Sequence, residues 1–201
     1  MPRPVRDADA SVATRNILEA AARQIVSGGA AALALSDVAR EAGISKALIH
    51  YHFRDKDTLL ARLVDHLARD LVARERAALS DYIGQHNPLA VDALWQWLEA
   101  ELRRGDIRVL LELDSCRGAA VQQAARDAAA LRRAAAKETI ERLFTILDLR
   151  PRIEASLLAT VFVAFVDGLA IDSGLARGED TAATSRVAFD VFWLAMLSLA
   201  E

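Results

Sequence analysis

The sequence has little of what secreted, membrane-spanning or disulfide-bonded proteins need. It contains one cysteine, Cys116, so no disulfide can form within the chain, and we expect a small buried apolar side chain there. No run of about 18 apolar residues is free of charge, and residues 1–9 hold no hydrophobic stretch that resembles a secretory signal. We therefore expect a cytoplasmic protein that does not enter a membrane.

Residues that interrupt helices are also scarce. The 201 residues include four prolines and nine glycines, and 53% of them are apolar while only 5% are aromatic. Alanine and leucine supply most of the apolar content, which favours helices. No segment alternates apolar and polar residues over a length that predicts a strand. The predicted fold class is all-α, with about nine helices.

Charge is nearly balanced along the chain. The net charge of −3 argues against a protein that coats nucleic acid without selectivity. Residues 1–60 carry eight basic and seven acidic side chains, whereas residues 61–201 have a net charge of −4. The difference is small, but it has the sign that a DNA-binding N-terminal region needs.

Helical periodicity and capping residues predict the positions of the helices. The first four cover residues 11–27, 36–42, 45–51 and 55–82. Ser11, Ser36 and Asp55 are the predicted N-caps of the first, second and fourth, and the third begins at Ser45. The glycine pair 28–29 should stop the first of them. Breaks at residues 84–88 and 174–180 help to delimit five more helices, over residues 89–103, 106–116, 119–147, 150–173 and 181–199.

Residues 34–53 have the layout of a helix-turn-helix, in which two short helices flank Gly43. Val38 and Ala39 should face the neighbouring helices, and Leu48 and Ile49 should anchor the second short helix. These positions leave an outward face of short polar, basic and aromatic groups. Such a face can enter a DNA major groove about 12 Å wide. The outward residues are Ser45, Lys46, Ala47, His50 and Tyr51.

Residues 11–71 resemble the N-terminal domain of the TetR family of bacterial regulators. The matching segments are residues 17–21, Gly29, residues 37–45 and residues 51–60. The resemblance implies a three-helix DNA-binding domain at residues 11–71, followed by a helical-bundle domain for ligand binding and dimerisation at residues 72–201. His50 stands where the family usually has tyrosine, and Ile25 stands where it usually has phenylalanine.

The resemblance also implies roles in DNA binding. Lys46 and Ala47 would face base edges or nearby phosphates, and Arg40 would lie close by. The residues expected to meet phosphates are Ser36, Ser45, His50, Tyr51, His52 and Lys56. An imidazole gains charge as the pH falls between about 8 and 5, so His50 predicts pH-dependent DNA affinity. Because helical residues two apart point in different directions, His50 and His52 do not predict a metal pair, and we expect no metal or cofactor.

One recognition helix reads few base pairs, so a helix-turn-helix protein is expected to act as a symmetric dimer. The last two helices are too apolar to be left in water, and in the TetR family the last two long helices form the dimer interface. The alternative is that these residues only fill the core of the protomer. The predicted interface consists of Leu157, Val161, Ala164, Phe165, Gly168, Val187, Val191 and Leu194.

The middle helices carry aromatic and aliphatic side chains in the region that holds a ligand cavity in TetR-like proteins. Such a lining suits a small apolar or aromatic effector. Any one of these residues could equally be a core residue that touches no ligand. The candidates are Trp95, Leu98, Leu102, Leu113, Cys116, Phe144 and Phe162, with Asp167, Glu112, Asp114 or Arg117 as polar anchors.

The predicted function is that of a repressor, which binds a palindromic DNA operator as a homodimer and is released by an effector. The alternatives are an activator of the same family or a helical interaction protein without a ligand. An enzyme is disfavoured because the sequence lacks the Glu-x-x-His, Gly-x-Ser-x-Gly, Gly-x-Gly-x-x-Gly and P-loop patterns.

Overall fold

The computed structural model describes residues 4–82, 89–175 and 180–201. Within them the chain forms nine α-helices and no strand, so the predicted fold class is confirmed. A 3-10 turn, Ser80–Tyr82, follows the fourth helix. The helices are α1 (Pro4–Ala32), α2 (Leu35–Glu41), α3 (Lys46–His52), α4 (Lys56–Ala78), α5 (Leu89–Arg104), α6 (Asp106–Asp114), α7 (Ala119–Ile146), α8 (Ala155–Leu175) and α9 (Asp180–Ser198).

The described residues group into two compact units. The head unit comprises the residues up to Leu67 together with Val109–Asp127, and the body unit comprises Ala68–Arg108 together with Ala128–Glu201. Helices α4, α6 and α7 each contribute residues to both units. The chain therefore returns to the head unit after α5, which no local sequence pattern indicates.

The first four helices bury one apolar stripe each in the core of the head unit. Ile17, Val38, Ile49, Leu59 and Leu63 are all 0% exposed. Burial of a side chain of this size stabilises the fold by about 1.5–3 kcal/mol. Helices α2 and α3 have only seven residues each, so this packing must supply the stability that such short helices lack on their own.

Two predicted caps in the head unit are wrong. Helix α1 begins at Pro4, and proline suits the first turn of a helix, so Ser11 lies inside α1 and does not cap it. The N-cap of α2 is Ala34 and makes no side-chain hydrogen bond, so Ser36 lies in the first turn. The predicted stop is confirmed at Gly29, which interrupts α1 with φ 80°, although three further residues continue to Ala32.

Boundaries in the second half also differ from the prediction. Helix α8 begins at Ala155 and not at Arg150, because the backbone of Arg150 pairs with that of Glu201 through two hydrogen bonds of 2.9 Å. Arg150 also precedes Pro151, and a residue in that position disfavours the helical conformation. Helix α4 stops at Ala78. The predicted turn at 84–88 and residues 176–179 of the predicted break lie outside the described residues.

An aromatic cluster fills the core of the body unit between α8 and α9. Trp193 is 2% exposed, and the centroid of its ring lies 5.9 Å from that of Phe162 and 6.0 Å from that of Phe189. Aromatic pairs at this separation attract each other beyond the effect of burial alone. Five of the eleven aromatic residues thus lie on the last two helices and pack against one another.

One helix among the described residues, α8, is long and apolar enough to cross a membrane by length and composition. The most apolar 18-residue segment of α8 has a mean hydropathy of 1.8, and 33% of this segment is buried inside the protein. A core helix of a soluble protein passes the same test, so this is weak support for a membrane span.

Candidate functional site

Two local signals build the turn between α2 and α3. Gly43 has φ 69°, and a Cβ at this position would meet nothing within 4 Å, so the backbone conformation and not the space requires glycine. Ser45 is extended, and its Oγ accepts a hydrogen bond from the Leu48 N–H at 3.1 Å. The start of a helix at Ser45 was predicted, and a cap of this kind stabilises a helix by about 1 kcal/mol. It determines where α3 begins.

The core of the head unit holds only one side of α3. Ile49 is completely buried, whereas Leu48 is 37% exposed. The prediction that both residues anchor α3 is therefore wrong for Leu48. Neighbouring residues on a helix point about 100° apart, so a two-turn helix that buries Ile49 turns Leu48 towards its edge.

The opposite side of α3 and the adjoining part of α2 face solvent. Seven of the nine predicted DNA contacts are exposed, and the exposed fraction of Tyr51 is 81%. The head unit does not need a ring in that position for its own packing, so the ring is free to contact a partner. The seven exposed residues are Ser36, Arg40, Ser45, Lys46, Ala47, His50 and Tyr51.

The other two predicted contacts, His52 and Lys56, are half-buried and have partners inside the head unit. The Nδ1 of His52 lies 3.2 Å from the Oγ1 of Thr14. The Nζ of Lys56 donates to the carbonyl oxygen of Ala31 at 3.2 Å. An ammonium has three donors and an imidazole has a second nitrogen, so both side chains keep the capacity to meet a phosphate.

Asp55 caps α4, as the sequence predicts. Its Oδ1 accepts hydrogen bonds from the backbone N–H of Thr58 at 2.8 Å and from the Thr58 hydroxyl at 2.7 Å. These two bonds hold the pKa of the Asp55 carboxyl below its usual range. Because the Thr58 N–H is taken, an anion that approached the start of α4 would meet the Lys56 side chain first.

A residue from α6 completes the head unit. The carboxylate of Glu112 accepts a hydrogen bond from the Ala30 N–H at the kink in α1. A Cβ on Gly29 would lie 3.1 Å from that carboxylate, so glycine permits the close approach as well as the positive φ. The sequence suggested Glu112 as a ligand anchor, but its carboxylate is bound to α1. Ala30 and Glu112 are 82 residues apart, and no local pattern could reveal the pair.

Helices α8 and α9 carry a continuous apolar face that is exposed in the protomer. The exposed fractions of its large side chains range from 46% for Val161 to 77% for Leu175. Among the predicted interface residues, Phe165 is half-buried and stacks on Phe192 with ring centroids 4.2 Å apart. The exposed residues recur at steps of three and four and are Leu157, Val161, Ala164, Gly168, Ile171 and Leu175 on α8 and Val187, Val191 and Leu194 on α9.

The predicted ligand residues fall in both units. Leu113 and Cys116 belong to the head unit, where burial and then the Glu112 carboxylate raise the pKa of the half-buried Cys116 thiol. The other six belong to the body unit. Asp167 is half-buried and forms an ion pair with Arg132. Trp95, Leu98, Phe144 and Phe162 are buried, and Leu102 is half-buried.

A small cavity lies among α4, α5, α7 and α8 in the body unit. It has about 10 Å³ of space, which is room for about one water molecule. Three polar residues in its wall are 4% (Glu75), 8% (Trp97) and 9% (Arg132) exposed. Trp97 lies on one of the middle helices that the sequence assigns to the cavity, whereas the sequence analysis missed Glu75 and Arg132. The wall consists of Leu71, Glu75, Trp97, Arg132, Ala136, Phe162, Val163 and Val166.

Two polar atoms of the cavity wall are buried and find no hydrogen-bond partner in the described part of the chain. They are the Oε1 of Glu75 and the Nε1 of Trp97. Burial raises the pKa of the Glu75 carboxyl to about 7, against the opposing effects of the Thr139 hydroxyl and the Arg132 guanidinium. Burial therefore moves the pKa of this carboxyl from its usual acidic range to near neutral.

The N-terminal part of the chain matches a known family. Residues 17–63 match the family described as bacterial regulatory proteins, tetR family. Over 172 residues the chain is 28% identical to the HTH-type transcriptional regulator BetI of Brucella suis biovar 1, and the match covers 85% of this chain and 84% of that protein. It is 39% identical over 74 residues to the regulator BetI of Agrobacterium fabrum, across 37% of this chain and 36% of that protein.

Solved structures share the fold along nearly the whole chain. A TetR-family regulator from Agrobacterium tumefaciens superposes with a TM-score of 0.73 at 20% identity, over 94% of this chain and 99% of that one. A TetR regulator from Haloarcula marismortui gives a TM-score of 0.72 at 22% identity, over 93% and 99%. Residues 17–63 therefore match the tetR family of bacterial regulatory proteins, and the chain has the fold of the TetR-family regulators among these structures.

Proposed function

We propose that this protein is a repressor that binds a palindromic operator as a homodimer and leaves it when a small effector binds. The observation that carries the proposal is the two-sided character of α3. Ile49 is buried on one side, while Lys46, His50 and Tyr51 are exposed on the other. A helix held in this way, with polar, basic and aromatic groups outward, suits a major groove.

Within this interface, Lys46 and the DNA shape would select the sequence. Lys46 is the first residue of α3 and would reach a guanine edge or a nearby phosphate. Ala47 offers only a methyl contact. Phosphates would position the protein through the surrounding donors, which are Ser36, Arg40, Ser45, His50, Tyr51, His52 and Lys56.

The apolar face of α8 and α9 supports the homodimer. Gly168 lies within it, and a Cβ there would meet nothing within 4 Å, so the backbone of a second copy could approach closely. Pairing of α8 and α9 with their copies would bury the face in a four-helix bundle. The resulting two-fold symmetry matches half-sites about 34–36 Å apart or somewhat more.

The effector would act by shifting populations. A coupling free energy of about 1–3 kcal/mol between effector and DNA would change operator affinity about 5- to 150-fold. Helix α4 is the candidate lever, because it contributes residues to both units. In this proposal residues 11–71 form the DNA-binding domain, residues 72–201 bind the effector and dimerise, and the protein works in the cytoplasm.

Selection of bound DNA from a random pool with the full-length protein tests the proposal. We expect a palindrome to be enriched, with an affinity that falls steeply as salt rises. Lys46→Ala should weaken binding to the selected site roughly 5- to 150-fold. Lys137→Ala, which changes an exposed lysine of α7, is the matched control and should bind as the native protein does.

Absence of an enriched palindrome, or equal binding by native protein and Lys46→Ala, would contradict the proposal. An operator-linked reporter then separates repression from activation. Expression from the reporter should rise when the regulator is deleted, and a fall would identify an activator.

A further inference from the structure

Glu75 places a carboxylate in an otherwise apolar stripe. It follows Leu67 and Leu71 on α4 at four-residue steps, so it shares the buried face of that helix with them. Glu101 is equally buried, but Arg74 satisfies both of its oxygens at 2.6 and 2.7 Å. The Oε1 of Glu75 has no such partner within the described residues. A buried polar group without a partner destabilises the folded state, whereas a leucine at the same position would not. This cost points to a binding role for Glu75.

The charged groups that act on Glu75 are already paired with others. Arg132 on α7 forms an ion pair with Asp167 on α8. Arg76 on α4 forms one with Glu138 on α7 at 2.8 Å. Among the described residues Glu75 therefore has no basic partner of its own, and its ionised form leaves one negative charge in excess.

We propose that the effector is a protonated amine on a small apolar body, with its ammonium group seated against the Oε1 of Glu75. This inference rests on the proposed function, since it names the class of effector. An ammonium supplies both the missing donor and the missing positive charge, whereas an anion would add a second negative charge.

The rest of the wall suits such a molecule. Leu71, Phe162 and Val166 offer apolar surface to its body, and aromatic rings attract a nearby cation. The Nε1–H of Trp97 would donate to an oxygen of the ligand, so an amine that also carries a hydroxyl or carbonyl group would satisfy both buried atoms.

The cavity must widen to admit this ligand, because its present space of about 10 Å³ holds about one water molecule. An amine that entered between Glu75 and Phe162 would push α4 and α8 apart. Since α4 also contributes residues to the head unit, this displacement gives the effector a way to act on DNA binding.

Three probes with the same ring and different charge test the inference: benzylamine, benzyl alcohol and benzoate. Isothermal titration calorimetry of the full-length protein at pH 7 should show benzylamine binding roughly 10-fold or more tightly than benzyl alcohol, and no binding of benzoate. Glu75→Gln keeps the shape, removes the charge and should abolish the preference for the amine. Glu141→Gln makes the same change at an exposed carboxylate on α7, which pairs with Lys137, and should leave it intact.

Proton release provides a second measurement that needs no variant. Burial raises the pKa of Glu75 to about 7, so an arriving ammonium should expel a measurable fraction of a proton per site at pH 7 and a smaller fraction at pH 8. Titrations in buffers of different ionisation enthalpy measure this number. The inference is overturned if no proton is released, if benzoate binds as well as the amine, if Glu75→Gln keeps the preference, or if none of the probes binds. None of these results affects the selection of DNA, so the proposed function is judged separately.

Discussion

Leu194 offers a direct test of the apolar face on α8 and α9. Its side chain is 69% exposed in the protomer, and it continues the stripe that Val187 and Val191 begin on α9. Leu194→Ala removes three carbon atoms from that face and leaves the core of the body unit untouched. Alanine is also a good helix former, so α9 itself should not be weakened.

The expected magnitude follows from the exposed area. Loss of a buried CH₂-sized group costs about 0.8 kcal/mol, so full burial would make this substitution worth about 2.4 kcal/mol. Because 69% of the side chain is open to a partner, dimerisation should lose about 1.6 kcal/mol per protomer. A two-fold interface contains the residue twice, so the dimer should weaken by about 3 kcal/mol, which is roughly 200-fold in Kd.

Sedimentation velocity over a concentration series measures the Kd of the dimer. Leu89→Ala is the matched control, since it makes the same change at a leucine that is 57% exposed on α5, outside the apolar face. It should leave the Kd of the dimer unchanged. If Leu194→Ala dimerises like the native protein, or if both variants weaken the dimer equally, the face does not pair in the way we argue.

Two further predictions concern Glu75 and His50. In the folded protein the pKa of Glu75 is about 7, whereas in the unfolded chain it is near 4.5. The folded state therefore binds the proton more tightly, and this binding contributes to the free energy of unfolding. The contribution is fully present below pH 4.5 and is lost as the pH rises through 7. Relative to the native protein, Glu75→Gln should therefore gain up to about 3 kcal/mol in free energy of unfolding between pH 5 and 8. Urea unfolding at several pH values measures this difference. If the difference does not change with pH, the carboxyl of Glu75 does not have a raised pKa in the folded protein. His50 is exposed on α3 and is proposed to meet a phosphate, so His50→Ala should weaken operator binding roughly 2- to 5-fold at constant salt. Equal affinity of this variant and the native protein would show that His50 makes no useful contact with DNA.

The sequence predicts the head unit well where the structural signal is local. Gly43, Ser45 and Asp55 each act on backbone groups within about four residues, so their types and spacing are enough. The prediction that Ser11 and Ser36 cap their helices was wrong because the same residue type also occurs inside the first turns. Serine is acceptable anywhere in the first turns of a helix, and the residues before each of them continue the helix instead.

Contacts between distant parts of the chain could not be predicted in this way. Glu112 completes the head unit by bonding to Ala30, and Arg150 pairs with Glu201 at the end of the chain. Neither pair shows a spacing that a helix or turn would impose. The prediction of Leu48 as an anchor failed because an apolar type shows which residues can be buried, but only the neighbouring helices decide which one is.

Glu75 lies between these two cases. The stripe of α4 is local, and its steps from Leu63 through Leu67 and Leu71 lead directly to Glu75, so the sequence alone already places an acid on the buried face. What it cannot show is whether a base meets that acid. Arg74 is adjacent to Glu75 along the chain, yet it bonds to Glu101 and Asp106. A charged residue that continues an apolar stripe is therefore a sequence signal for a buried polar site. The structure then shows whether that residue is part of an ion pair, as Glu101 is, or is an acid whose charge a ligand can neutralise, as we propose for Glu75.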